Sequence, residues 1–290
     1  MTERDALARL SGAQGLDDLT DVVSRAAAAI LAIDRSKMEW RAKPDRSPVS
    51  AADEAANAII VQDLAHLLPG VPIVSEEQET RPSALEAGFV LVDPLDGTRE
   101  FLAGREEFTV NVAIISQGRP AVGLIAAPAL GLVWRGVAGQ GAERLHLAAG
   151  AAPCRASGRS AIHTRRRPAA GFDAMVSRSH FDEETDAFLQ RLPLVARTPC
   201  GSSLKLARIA EGSADLYARL ARTCEWDVAA GHAILAAAGG IVTAPDGTEL
   251  VYGHAPAFHV PGFIAWGDPL AQTTALEHGS CRSCSTAQPG

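Results

Sequence analysis

The run Phe89-Val90-Leu91-Val92, followed at once by Asp93-Pro94-Leu95-Asp96-Gly97-Thr98, limits what this chain can become more than any other stretch. Four apolar residues in a row describe a short strand buried on both faces. Two carboxylates three residues apart, with Pro and Gly between and after them, make a tight turn where that strand surfaces. A strand end holds side chains to the tolerance that chemistry needs. Upstream, Pro72-Ile73-Val74-Ser75 is a second strand-like run, and it ends in Glu76-Glu77. If the two ends converge, four carboxylates crowd one site, an arrangement that like-charge repulsion disfavours without a cation. Hard oxygen ligands in a part-hydrated cluster suit Mg²⁺, which keeps waters and binds substrate phosphates. The stretch predicts a metal-dependent phosphoryl site.

With 290 residues the chain can bury a large core, as one domain or two packed halves. A formal charge of -7 opposes a nucleic-acid binder with a general basic surface, and Arg165-Arg166-Arg167 reads as a solvated run. Five scattered cysteines fit a reducing compartment better than a disulfide framework. Cys281 and Cys284 have zinc or redox spacing, but a closed zinc site needs four ligands, so they read as an incidental tail feature. An N-terminus with early acids and no apolar core is no signal peptide, and no uncharged run is long enough to span a bilayer. The expectation is a soluble, cytoplasmic protein.

In chain order, Leu16 to Ile33 has helical spacing, with Asp17 and Asp18 expected in its first turn. Lys43, in the Pro-interrupted loop that follows, is either a solvated lysine or a phosphate contact. A second helix is expected from Ser50, as N-cap, to Leu68, with Asp53 in its first turn. Phe108–Ile115, Ala121–Ala126 and Leu132–Val137 form an antiparallel meander. In the second half, a strand at Ala174–Ser177 leads to Arg178-Ser179-His180 and an acidic helix from Asp182 to Leu192. Gly201-Ser202-Ser203 opens a helix from Leu204, where free backbone N–H groups would suit an anion. Asp215–Ala218 is a short strand, and Trp226-Asp227 starts a small-residue helix. The pattern divides into an α/β lobe over 1–150, a second over 151–270 and a disordered tail over 271–290.

Asp93-Pro-Leu-Asp-Gly-Thr98, with Glu76-Glu77 upstream and Trp226-Asp227-Val-Ala-Ala-Gly231 downstream, resembles the inositol monophosphatase superfamily over roughly residues 16 to 268. The resemblance implies a layered αβαβα sandwich, an α/β (α+β) fold of the inositol monophosphatase/fructose-1,6-bisphosphatase type. It also implies Mg²⁺-dependent phosphomonoester hydrolysis that lithium inhibits. Ser47-Pro-Val-Ser-Ala-Ala-Asp53, Glu107-Phe-Thr-Val-Asn111, Ser177-Arg-Ser-His180 and Gly201-Ser-Ser-Leu-Lys205 resemble the CysQ-type 3′(2′),5′-bisphosphate nucleotidase branch, which converts adenosine 3′,5′-bisphosphate to AMP and phosphate.

By position, the resemblance makes Glu76, Asp93, the Leu95 carbonyl, Asp96 and Asp227 ligands for two or three Mg²⁺ ions, with Glu77 acting more remotely through water. Thr98, oriented by Asp53, would polarise the attacking water. Glu76, Asp96, Gly97, Thr98, Arg99 and Asp227 would meet the phosphate side of the substrate. Ser177, Ser179, His180, Ser202, Ser203 and Lys205 are the specificity candidates. Arg99 departs from the lysine usual in that place, which leaves its role open. A small-molecule nucleotide bisphosphate, no nucleic acid and no transmembrane segment are implied, as a monomer or homodimer. The alternatives are an inositol monophosphatase and a non-catalytic, phosphate-sensing member.

Overall fold

A computed structural model describes residues 9–35, 40–42, 48–78, 80–85, 88–179 and 182–272. Lys43, His180, Cys281 and Cys284, and the tail from residue 273, lie outside them.

Helix α1 (Ala13–Ala32) and helix α2 (Ala51–Leu67) are followed by a seven-stranded sheet. Its strands are β3 (Ile73–Ser75), β4 (Gly88–Asp96), β5 (Thr109–Ser116), β6 (Arg119–Ala127), β7 (Leu132–Val137), β8 (Gly141–His146) and β9 (Gly158–Ile162), in that spatial order. Strand β3 runs parallel to β4 and every later pair is antiparallel. A two-stranded ribbon of β1 (Trp40–Ala42) and β2 (Pro48–Ser50) precedes α2. The second sheet has the order β11 (Leu194–Cys200), β10 (Phe172–Ser177), β12 (Leu216–Arg219), β16 (Phe263–Trp266), β14 (Ile241–Thr243). A small β13–β15 pair (Thr223–Cys224 with His259–Val260) flanks it.

Alternation along the strands explains the layers. In β4, Val90 and Val92 pack with Val22, Val23, Ile60 and Leu64 of α1 and α2. Phe89 and Leu91, one residue out of phase, join the opposite core with Ala229, Ala230 and Ile234. Those belong to helix α6 (Glu225–Ala237), which packs on helix α5 (Leu204–Ala210). The second sheet repeats the arrangement. Tyr217 and Ala265 face the α5–α6 layer, while Leu216, Ala218 and Ile264 meet Phe188 and Leu189 of helix α4 (Glu183–Gln190). The order is α1/α2, sheet, α5/α6, sheet, α4: the five-layered sandwich expected from the resemblance. Helix α6, although late in the chain, lies on the first sheet.

That contact depends on missing side chains. A Cβ on Gly123 of β6 would stand 2.3 Å from Ala230 O and 2.7 Å from Ala233 Cβ. One on Gly231 would stand 2.3 Å from Leu206 Cδ1. The Ala- and Gly-rich character of α6 lets it press directly on a strand and on α5.

Several local expectations change. Helix α1 starts at Ala13, so its first turn holds no acid; Asp17 instead meets the buried Arg135 at 2.7 Å. Strand β4 does not end at Val92 but runs on to Asp96, with a shift of register against β5 between Asp93 and Asp96. Pro94, which has no N–H to give a ladder, sits inside that irregularity. Arg165 is not merely solvated: its guanidinium grips Asp215 at 2.7 and 3.0 Å. Among the described residues no helix is long and apolar enough to cross a membrane.

Gly123→Ala, remote from the cleft mouth, is expected to cost about 1–3 kcal/mol through overpacking. Thermal unfolding should read this as a melting temperature roughly 2–10 °C lower; an unchanged value would show that the α6–sheet contact yields easily.

Candidate active site

Asp53 and Asp227 owe their positions to the same local device. Each is the third residue of its helix and reaches back to the residue that caps it, a capping box. Asp53 Oδ2 accepts from the Ser50 N–H (2.8 Å) and the Ser50 hydroxyl (2.7 Å). Asp227 Oδ2 accepts from the Cys224 N–H at 3.2 Å and from the Thr223 hydroxyl. Both carboxylates also lie where the helix dipole favours negative charge.

The irregular end of β4 supplies the next acids. Asp93 is buried, and its Oδ1 accepts from Leu95 N–H at 3.1 Å. Burial, and then the charges of Glu76, Asp96, Asp227 and Asp53, push its carboxyl well above the ordinary range. Asp96 is pushed up to about 7 by burial and by Asp227, against the opposing pull of Lys205 and the Ser203 N–H. The predicted convergence of β3 and β4 is therefore present, with α6 bringing Asp227 to it. Glu76 sits in the turn after β3, its N–H on Val92 O at 3.1 Å. Glu77, half-buried in the same turn, is not among the residues lining the cleft.

Gly97, at φ +92°, turns the chain into the short helix α3 (Thr98–Leu102). Its positive φ suits glycine, and a Cβ would come within 3.1 Å of Glu107 O. Thr98 Oγ1 lies 3.0 Å from Asp53 Oδ1 and 3.1 Å from Leu95 O. A hydroxyl has one proton, so these are competing acceptors, and a carboxylate is the stronger. With the proton on the Asp53 side, the Thr98 lone pairs are left to accept from a water.

The acids open into a cleft of ≈ 560 Å³. Gly97, Thr98 and Arg99 line one side, with Ser177, Ser179, Ser202, Ser203 and Lys205 from the second half of the chain. Arg99 is exposed at its mouth. One expectation is corrected here. The N–H groups of Gly201 and Ser203 are not free for an anion, because they donate to Glu107 and to Asp96. Lys205 is buried, with Nζ on the carbonyls of Ser202 and Cys200 and 5.0 Å from the centre of the Tyr217 ring. Its charge stays close enough to Asp96 to stabilise the ionised form. The Ser203 hydroxyl bridges Thr109 (2.8 Å) and Asn111 Oδ1 (2.7 Å) on β5.

Other lining residues carried no signal in the sequence. Glu100 is buried in α3 and accepts from the Ser179 hydroxyl at 2.5 Å, across 79 residues of chain. Arg81 lies 4.4 Å over the Trp226 ring and donates to Glu76 O at 3.3 Å. Arg219, Arg222 and His259 complete the far wall. Only the Trp-Asp pair hinted that an aromatic flanks the acids.

Among the described residues no three acidic, His or Cys groups are drawn together into a finished metal cage. The donor set itself fits a hard divalent cation: carboxylate and carbonyl oxygens, four acids raising the proton affinity of a fifth.

Comparison with known proteins agrees with this geometry. The profile of the inositol monophosphatase family matches residues 16–278. The 3′(2′),5′-bisphosphate nucleotidase CysQ of Salmonella typhimurium is 39% identical over 255 residues, 86% of this chain and 98% of that protein. The crystal structure of CysQ from Bacteroides thetaiotaomicron, a bacterial member of the inositol monophosphatase family, superposes with a TM-score of 0.71 at 30% identity, covering 86% of this chain and 95% of that one. An inositol monophosphatase from Zymomonas mobilis gives a TM-score of 0.70 at 26% identity, covering 90% and 97%. Acids gathered by two capping boxes and a strand end, in a five-layered sandwich, thus stand in a chain that belongs to the inositol monophosphatase family.

Proposed function

We propose that this protein is a Mg²⁺-dependent 3′(2′),5′-bisphosphate nucleotidase. It removes the 3′-phosphate of adenosine 3′,5′-bisphosphate, giving AMP and phosphate, a step that clears a by-product of sulfate assimilation. The carrying observation is the Asp53–Thr98 hydrogen bond standing beside a buried cluster of mutually repelling acids. The CysQ names of relatives that match nearly their whole length support the substrate.

Glu76, Asp93, the Leu95 carbonyl, Asp96 and Asp227 would hold two or three Mg²⁺ ions, with Glu77 contributing through water. Bound metal supplies an acidified water and counter-charge for the phosphoryl oxygens. Everything else falls to the chain. Asp53 takes the Thr98 proton in a hydrogen bond, so the threonine oxygen accepts from the attacking water and aligns it. The N–H groups of Gly97 and Thr98, in the first turn of α3 where no helical acceptor exists, donate to the phosphate. Arg99 adds positive charge at the mouth. Ser177, Ser179, Ser202, Ser203 and Lys205 wall the nucleoside side; the resemblance adds His180 as a specificity candidate, which lies outside the described residues. In this reading residues 1–150 carry most of the metal ligands and 151–270 the specificity wall. The scattered cysteines support a reducing, cytoplasmic setting.

Phosphate release in Mg²⁺ should be faster from adenosine 3′,5′-bisphosphate than from inositol 1-phosphate or fructose 1,6-bisphosphate. Equal or better turnover of the inositol phosphate would transfer the protein to the inositol monophosphatases and leave the chemistry standing. Asp93→Asn should abolish Mg²⁺-dependent activity, and activity that survives would remove the proposed centre.

Asp53→Asn should lower kcat by about 10²–10⁴-fold, the scale of a lost proton-relay partner, with KM little changed. Steady-state kinetics test this. A large rise in KM at constant kcat would assign Asp53 to binding.

The acid cluster also sets a pH dependence. A carboxyl whose folded pKa lies above its unfolded value keeps a proton that the unfolded chain has released, so stability falls as pH rises through that interval. For Asp96 the interval runs from 3.8 to about 7, and for Asp93 it extends in the same direction. Melting temperatures of metal-free protein should decline across it. Mg²⁺ should raise the melting temperature more at pH 8 than at pH 5; an equal rise at both would separate the metal from these acids.

A further inference from the structure

Glu107 takes no part in the chemistry above, yet its carboxylate serves segments far apart in sequence. It accepts from Arg178 Nε at 3.0 Å, from Arg178 Nη2 at 2.8 Å and from the Gly201 N–H at 2.9 Å. Arg178 Nη2 also donates to Pro199 O at 3.1 Å. The Glu107 carbonyl is equally crowded. A Cβ on Gly97 would come within 3.1 Å of it, and one on Gly201 within 2.8 Å. One residue therefore touches the Gly97 turn, the end of β10 and the turn after β11.

Those three places are the walls of the cleft. Arg178 stands between Ser177 and Ser179, and Gly201 directly precedes Ser202 and Ser203. Partial burial pushes the Glu107 carboxyl up, but the hydrogen bonds from Arg178 and Gly201 outweigh this and hold it below its usual range, so it stays ionised near neutral pH. The two side chains are 28% and 34% exposed. An ion pair so open to water adds little to global stability. What the forked guanidinium–carboxylate geometry adds is direction.

We propose that the Glu107–Arg178 pair is a positioning device for the substrate. It holds the Ser177–Ser179 and Gly201–Lys205 walls in fixed register with the Gly97–Thr98 turn, so that a substrate's body and its scissile phosphate are presented together. Two walls from the second sheet are tied to the first sheet at this point, and Glu107 makes the tie with both its carboxylate and its peptide. The identity of that substrate rests on the nucleotidase reading above; the tie itself does not.

The test uses the full-length protein in Mg²⁺ with Arg178→Ala, Arg178→Lys and Glu107→Gln. KM and kcat are measured with adenosine 3′,5′-bisphosphate and with 4-nitrophenyl phosphate, a small monoester with little to touch the walls. Amide hydrogen exchange of residues 197–206 is followed without substrate. Arg178→Ala should raise KM for the bisphosphate about tenfold or more, the scale of a lost charge-assisted contact. KM for the small ester should rise far less, exchange over 197–206 should quicken, and the melting temperature should stay within a few degrees of the parent. Arg178→Lys should recover part of the KM. Equal rises in both KM values, or unchanged exchange, would overturn the proposal. If the parent protein does not turn over the bisphosphate, the nucleotidase reading falls and the exchange experiment still decides this one. If Arg178→Ala does not fold, Glu107→Gln, which keeps an acceptor for Gly201, answers the same question with a smaller expected shift.

Discussion

Repulsion among buried carboxylates is the constraint to which the rest of this structure answers. Asp93 is buried beside Glu76, Asp96, Asp227 and Asp53, and each raises the cost of its charge. The chain meets the problem acid by acid. Asp53 is given the Ser50 hydroxyl and N–H and the Thr98 hydroxyl. Asp96 is given the Ser203 N–H and the nearby Lys205 charge. Asp227 is given Thr223 and the Cys224 N–H. Asp93, in the middle, has a neighbouring backbone N–H at 3.1 Å and four negative neighbours, and that is the place where a hard cation contributes most.

Two helices reduce the same cost from a distance. Both α2 and α6 point their N-termini, with the positive ends of their dipoles, at the cluster, and both hold an acid at the third position. Their routes differ. Helix α2 follows the ribbon that ends in Ser50, and α6 arrives from the far half of the chain and lies flat on the first sheet. The site is thus a meeting of a strand end with two helix ends, all three rigid elements, and the substrate wall is made of turns tied back to them.

How much of this was legible depended on how local the cause was. The β4 strand, the Ser50 cap and the acids at 53, 76, 93, 96 and 227 are marked by residues within a few positions of one another, so apolar runs and capping patterns reveal them. The apolar run understates the length of β4 because Pro94 suggests a stop, whereas a shift of register against β5 absorbs it. Strand β11 gave no apolar run, since it is an exposed edge strand from Val195 to Pro199. Glu100 carries no mark in the sequence, and Glu107 stands in a motif with no role attached to it, because their partners, Ser179 and Arg178, stand more than 70 positions away. The anion site expected at Gly201–Ser203 has fewer free donors than its pattern suggests for the same reason: distant carboxylates hold the Gly201 and Ser203 N–H groups.

The close seating of α6 has a consequence for how such an enzyme can be altered. With Gly123 leaving no side chain between β6 and the Ala230 carbonyl, and the Leu206 side chain filling the space over Gly231, the height of Asp227 over the sheet is set by contacts that leave no room for a larger residue at either glycine. The catalytic half of the cleft is therefore closed to gradual variation. The Ser177–Ser179 and Ser202–Ser203 walls, short side chains on turns, accept substitution without moving a helix. A search for new substrates should diversify those walls and leave the glycines alone.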